Sequence, residues 1–273
     1  MAENKITQKY VMQYLAELIH SDKNWEDIEP FDSIRVHPGR YADTMNIIRK
    51  YLGDKQNVRI LDFGTGRGFI SLLIKHFFPS YSVLACDIQI NDEAKKLLEQ
   101  NEIQIKENVV FYGGKPLPFD HCSFDAVLFL EVLEHVIDNP TNVISELHRI
   151  CKPGGTLFLT TPNIAHIFNR IRLLFGKQPQ LFLTGLHQKA PRGHFREWTM
   201  DELVDLLKDF FEIVETKYIK AVGRYGMISK KFGLKLLYYP FSLLCTIKPS
   251  FRSEIAIVAR TKARKHVSLS EAE

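Results

Sequence analysis

Two short runs hold the side chains whose types and spacing can do chemistry. In Val58-Arg-Ile-Leu-Asp62-Phe-Gly64-Thr65-Gly66-Arg-Gly68-Phe-Ile, an apolar strand empties into a glycine-rich turn that opens a helix. Glycines let the backbone come close to a ligand, and the free N–H groups of a helix start attract a carboxylate or phosphate. The spacing is G-x-G-x-G with an acid in front, unlike the G-x-G-x-x-G of dinucleotide binders. Asp62 would repel a pyrophosphate and suits a cationic aminoacyl group. Asp87 ends the next strand, where a carboxylate can accept both hydroxyls of a ribose; a strand-end turn or helix cap is its bland alternative. The second run is Glu131-Val-Leu-Glu134-His135. Offsets of i, i+3 and i+4 put all three side chains on one face if the turn is helical. Two carboxylates and an imidazole suit a hard cation, but acids near a helix start beside a packing or basic histidine need no metal.

These groups need a scaffold, and the hydrophobic pattern supplies one. Short apolar runs alternate with amphipathic stretches from 58 to 162, the pattern of βαβ units around a parallel sheet buried on both faces. Strands are predicted at 58–63, 82–86, 108–112, 126–130, 155–161, 211–218 and 254–260. Helices are predicted at 6–19, 43–52, 69–77, 92–100, 140–150 and 199–209, the last opened by a capping Thr199. Lys152-Pro-Gly-Gly155 should break the chain before the fifth strand. The domain plan is an N-terminal helical cap over 1–45, a catalytic domain over 46–260 with insertions at 164–198 and 224–249, and a basic, polar tail over 261–273.

With 273 residues, 45% of them apolar, one large α/β domain is enough. A net charge of +4 is too small to indicate a nucleic-acid partner. Four scattered cysteines without a CxxC pair argue against disulfides and cysteine–zinc sites and for a reducing compartment. The N-terminus carries no apolar signal segment, so the reading is cytoplasmic. The apolar run 232–247 carries only Lys235, yet it is too short for a span and is broken by Pro240. It leaves peripheral membrane contact through 224–249 as a reading.

Taken in order, Ile60-Leu-Asp-Phe-Gly-Thr-Gly-Arg-Gly68, Leu117-Pro-Phe-Asp with Ser-Phe-Asp125, Leu130-Glu-Val-Leu-Glu-His135 and Leu147-His-Arg-Ile-Cys-Lys-Pro-Gly-Gly-Thr-Leu157 resemble class I S-adenosylmethionine methyltransferases of the ubiquinone-biosynthesis-like branch. The resemblance covers 49–163 well and 196–260 more loosely. It implies a Rossmann-like α/β fold with a seven-stranded sheet of order 3-2-1-4-5-7-6 and the seventh strand antiparallel. It also implies a cofactor site of Asp62, Gly64, Thr65, Gly66, Gly68, Asp87, Ile88, Glu131 and Arg40, with the glycine turn at the methionine part and Asp87 at the ribose. Family members often place an acid after strand three for the adenine, where this chain has Gly113-Gly114-Lys115. Some relatives use the Glu-x-x-Glu-His segment for magnesium or a similar ion, with a further histidine before Glu-Trp-Thr. His194-Phe-Arg-Glu197-Trp-Thr199 is similar, so Glu131, Glu134, His135 and His194 are the candidate ligands of magnesium, manganese or zinc.

Transfer from a sulfonium is an in-line displacement that needs alignment and exclusion of water. A hydroxyl acceptor must also lose its proton, to His135 or His194 as base or with help from a cation. The expectation is O-methylation of a hydroxylated small molecule, sugar or glycan-lipid. His187, Arg192 and Arg196 are candidate acceptor contacts, and His37 beside Arg40 a candidate closure over the cofactor. The alternatives are an NAD-dependent dehydrogenase and a non-catalytic membrane-peripheral module that keeps the fold.

Overall fold

Alternation along the central strands decides the layering. On β1 (Arg59–Phe63), Ile60 faces one core and Leu61 the other; on β4 (Phe124–Leu130), Ala126 and Leu128 face the first, Val127 and Phe129 the second. Both faces of such a strand must be covered, so helices pack on either side. The computed structural model describes residues 5–20, 38–111, 114–179, 194–219 and 243–263. On one face lie α1 (Gln8–His20), α2 (Pro38–Leu52), α3 (Phe69–Phe77) and α4 (Asp92–Gln100), burying Val11, Leu15, Met45, Ile48, Leu72 and Leu98. On the other, α5 (Pro140–Ile150) and α7 (Met200–Leu207) bury Val143, Leu147, Leu203 and Leu207. Between them α6 (Ile167–Leu174) follows the fifth strand.

With β2 (Ser82–Cys86), β3 (Gln104–Lys106), β5 (Cys151–Pro162), β6 (Phe211–Ile219) and β7 (Glu254–Thr261), the sheet has seven strands in the order β3-β2-β1-β4-β5-β7-β6. Strand β7 runs antiparallel to both β5 and β6, and the other pairs are parallel. The expected order is therefore the observed one.

Three boundaries differ from the sequence reading by more than two residues. The third strand lies at Gln104–Lys106, not at 108–112. Asn108 takes a left-handed φ of 59°, which ends the extended run, and Val109 then donates its N–H to the Asp87 carbonyl beyond the end of β2. The fifth strand begins at Cys151, and Lys152-Pro-Gly-Gly155 bulges out within it, between the pairings Phe124 with Cys151 and Ala126 with Thr156. The second helix starts at Pro38, which brings Arg40 into its first turn. Helix α7 is capped as expected: Thr199 Oγ1 accepts from the Glu202 N–H while the Glu202 carboxylate accepts from the Thr199 N–H. No helix among the described residues is long and apolar enough to cross a membrane. Of the run 232–247, only 243–247 is described.

Candidate active site

The glycine turn is tied to the neighbouring strand by the N–H groups of Gly64 and Thr65, which donate to the Cys86 carbonyl at 2.8 and 3.0 Å. Gly64, Gly66 and Gly68 have φ of 76°, 58° and 77°, a region that favours glycine. A Cβ at Gly64 would lie 2.4 Å from Val132 Cγ2, whereas one at Gly66 would meet nothing within 4 Å. The turn thus approaches the chain after β4 at one glycine and borders open space at the next. Asp62 is buried beneath it, and its Oδ2 accepts from Thr65 Oγ1 at 2.7 Å and Ser71 Oγ at 2.6 Å. Burial pushes its carboxyl above the usual range, and the two hydroxyls oppose that shift. Asp87 is fixed by two backbone donors, Gly66 N–H to Oδ2 and Ile88 N–H to Oδ1, both at 2.7 Å. Each oxygen keeps lone-pair capacity for a further donor.

Two cavities meet at Gly64 and Glu131. The first, about 300 Å³, is bounded by Arg40, Tyr41, Asp62, the turn residues through Arg67, and Thr160. The second, about 310 Å³, has Asp87 and His135 as polar groups among Ile88, Val109, Phe111, Val132 and Val136. Glu131 stands between them with φ of 57°, a left-handed conformation that costs a non-glycine residue roughly 1–2 kcal/mol. That twist turns its side chain toward Thr160 Oγ1, which donates to Oε1 at 2.8 Å, and toward Arg40, whose Nη1 lies 3.0 Å from Oε2. Arg40 also stands 3.7 Å from Glu254 at the start of β7. Burial opposes the Arg40 charge, but Glu131 and Glu254 outweigh it and hold the guanidinium protonated. Burial, then Glu131, pushes the Glu254 carboxyl up to about 8 against the pull of Arg40.

The remaining acid and the imidazoles form a separate cluster. Only Leu133–His135 makes a turn, of 3-10 type, so the one-face arrangement expected for Glu131, Glu134 and His135 does not form. Ligand atoms of Glu134, His135 and His194 lie within 4.8 Å of one another, and Glu131 is not among them. His194 is delivered from a distant segment: the Phe195 N–H donates to the Glu134 carbonyl at 2.8 Å, and Ile164 N–H to Trp198 O at 3.1 Å anchors the segment after β5. The His135 and His194 rings meet edge to face, 5.1 Å between centroids. His194 Nδ1 lies 2.8 Å from Glu197 Oε1, which fixes the ring and leaves Nε2 as its other nitrogen. Burial, then the nearby Glu131, raises the Glu134 carboxyl well above its ordinary value, and a hydrogen bond from Thr161 Oγ1 at 3.0 Å opposes this.

The comparisons with known proteins show the family. The family model for a methyltransferase domain matches residues 37–216. The chain is 32% identical to the ubiquinone/menaquinone biosynthesis C-methyltransferase of Desulfotalea psychrophila over 67% of this chain and 76% of that protein. The chain belongs to the S-adenosylmethionine-dependent methyltransferases. It is also 26% identical to the ubiquinone biosynthesis O-methyltransferase of Maricaulis maris, over 83% of this chain and 81% of the relative. With the Xanthomonas oryzae ubiquinone biosynthesis O-methyltransferase, the match spans 45% of the relative's length. Its fold is shared by the Burkholderia thailandensis 1,6-didemethyltoxoflavin-N1-methyltransferase, solved with S-adenosylhomocysteine bound, at a TM-score of 0.51 and 14% identity over 93% of this chain and 88% of that one. The dehydrogenase and non-catalytic alternatives are set aside.

The methyltransferase's cavities fit its cofactor. An aminoacyl end needs the ionic groups and open space above Gly66, and an adenosine needs a carboxylate beside an apolar slot; the two cavities supply these in turn. The apolar walls Ile88, Val109 and Val132 can take the adenine faces without the acid missing at Gly114-Lys115. Replacing Asp87 by Ala should weaken S-adenosylhomocysteine binding by about 1.5–3 kcal/mol, the range for hydrogen bonds to a charged group. Calorimetry checks this, and unchanged affinity would contradict the ribose role.

Of the expected acceptor contacts, Arg196 is already engaged, stacked 4.0 Å above the Trp198 ring and paired with Glu202 at 2.8 Å. His37, His187 and Arg192 lie outside the described residues. Sequence reasoning missed Thr160 and Thr161, which orient the two glutamates, as well as Glu254 and Arg67. The threonines had a readable signal, since they end the fifth strand at the sheet edge where ligands bind. Glu254 had none, because its partner is more than two hundred positions away in the chain.

Proposed function

We propose that this methyltransferase transfers its methyl group to a hydroxyl oxygen of a small molecule, sugar or glycan-lipid. The observation that carries the reading is the meeting of His135, which lines the second cavity, with His194 and Glu134. Bound to the protein, the cofactor supplies a methyl group on a sulfonium. Asp87 and the glycine turn would hold it, with Glu131 at the junction of the two cavities and Arg40 paired to it in the first. His135 or His194 would take the proton of the acceptor hydroxyl and so ready its oxygen for the methyl group. Glu197 keeps His194 oriented for that role. The same cluster is suited to a divalent cation that lowers the hydroxyl pKa. One carboxylate and two imidazoles favour zinc or manganese over magnesium, whose preferred ligands are oxygens. Incubating the enzyme with deuteromethyl cofactor and cell extract, then locating the label by mass spectrometry, tests the reading. Label on oxygen is expected, and label confined to nitrogen or carbon overturns it.

A peripheral membrane contact through 224–249 is a second reading, supported by the described part of that segment. Leu243, Leu244 and Ile247 are exposed beside Lys248, and Leu173, Leu174 and Phe175 are exposed near Arg172 and Lys177. Neither 164–179 nor 243–253 contains an acidic residue, which suits an anionic surface. Flotation with anionic vesicles at low salt should carry the protein upward. No lipid-bound fraction would remove the reading.

A further inference from the structure

We infer that Arg67, carried between Gly66 and Gly68 in the turn, is the positioning residue for the cofactor's α-carboxylate. This rests on the cofactor assignment made above. Arg67 borders the first cavity, and its Nη1 is buried with no hydrogen-bond partner among the described residues. The Arg67 side chain is half-buried; a guanidinium is always charged, so its one buried nitrogen left unmatched carries a desolvation penalty. Such a group marks the place of an anion that arrives with a ligand.

The charges around it decide which anion. Arg40, the other guanidinium of that cavity, is matched by Glu131 at 3.0 Å and Glu254 at 3.7 Å. Asp62 is an acid, with its Oδ2 engaged by the Thr65 and Ser71 hydroxyls, and cannot receive a carboxylate. Among the described residues of this cavity wall, Arg67 is the cation without an ion pair. S-adenosylmethionine carries a single anionic group, the α-carboxylate, beside its ammonium and sulfonium. Among the described residues the second cavity offers that carboxylate no Lys or Arg side chain and places Asp87 in its wall, so the adenosine end belongs there and the carboxylate end beside Arg67. The free space over Gly66 leaves room for the aminoacyl chain between them.

Three probes separate this role from mere support of the turn. S-adenosylhomocysteine has the carboxylate, S-adenosyl-3-thiopropylamine keeps the amine but lacks it, and 5′-methylthioadenosine lacks both. Calorimetry with wild type, Arg67→Met, Arg67→Lys and Arg40→Met is the experiment. Arg67→Met is expected to lower S-adenosylhomocysteine affinity roughly tenfold to a hundredfold, the scale of charge-assisted hydrogen bonds. Affinity for the amine and for methylthioadenosine should hold, with Arg67→Lys recovering part of the loss. Methylthioadenosine binding also reports that each variant is folded. Equal loss for all three probes, no loss for any, or loss of carboxylate preference in Arg40→Met alone would overturn the role of Arg67. Failure of the wild type to bind any of the three would instead overturn the cofactor assignment beneath it.

Discussion

Gly64→Ala is expected to give a methyltransferase that unfolds roughly 5–15 °C lower and no longer binds S-adenosylhomocysteine measurably. Two penalties add. A side chain at φ of 76° costs roughly 1–2 kcal/mol, and a Cβ placed 2.4 Å from Val132 Cγ2 forces the repacking that costs about 1–3 kcal/mol in filled cores. Each kcal/mol lowers Tm by roughly 2–4 °C at this domain size. Binding should suffer beyond stability because Gly64 borders both cavities and Val132 lines the second, which we propose for the adenosine. Gly66→Ala is the informative contrast. Its Cβ meets nothing, so only the conformational penalty should appear in thermal unfolding, while the added methyl stands in the space the cofactor needs. Equal melting temperatures and equal affinities for the two variants would show that the approach to Val132 does not matter.

Removal of divalent ions with a chelator should abolish methyl transfer to the acceptor identified from extract while leaving S-adenosylhomocysteine binding nearly intact. Glu131 is not among the clustered ligand atoms of Glu134, His135 and His194 and pairs with Arg40 instead, so an ion in the cluster would serve the acceptor side. His135→Ala should reproduce the effect, and chelation of that variant should add little, since residues serving one ion act as a unit. Glu131→Gln separates the two halves of the site: it should weaken cofactor binding, because Glu131 faces a guanidinium where a cation would be repelled. Full activity in excess chelator with His135→Ala inactive would establish the general-base mechanism and dismiss the ion.

Legibility from sequence followed the range of the interactions. Helices α3, α4 and α5 begin and end where their periodicity predicts, because each has an apolar face of its own, and α4 and α5 also have a capping side chain at the start, Asn91 and Asn139. The sheet order came from resemblance, since pairing between distant strands leaves little local trace. What escaped prediction turned on single backbone torsions. The left-handed Asn108 moved the third strand upstream, and the left-handed Glu131 broke a spacing argument that assumed a helix. With that one residue twisted, i, i+3 and i+4 no longer share a face, and Glu131 joins Arg40 instead of the imidazoles. Glu197 stood in view as part of Glu-Trp-Thr, but only the fold shows that it holds His194.

The reversed direction of β7 has a practical side. Glu254 pairs with Pro162 at the edge where the cavities open, so the strand starts at the mouth, and Arg260, opposite Thr156, finishes at the far edge. The last described residues, 261–263, therefore leave the sheet at its back. Attachment to a sensor chip or bead through that end should leave the mouth facing solution, and cofactor analogues should bind the tethered enzyme as they bind the free one.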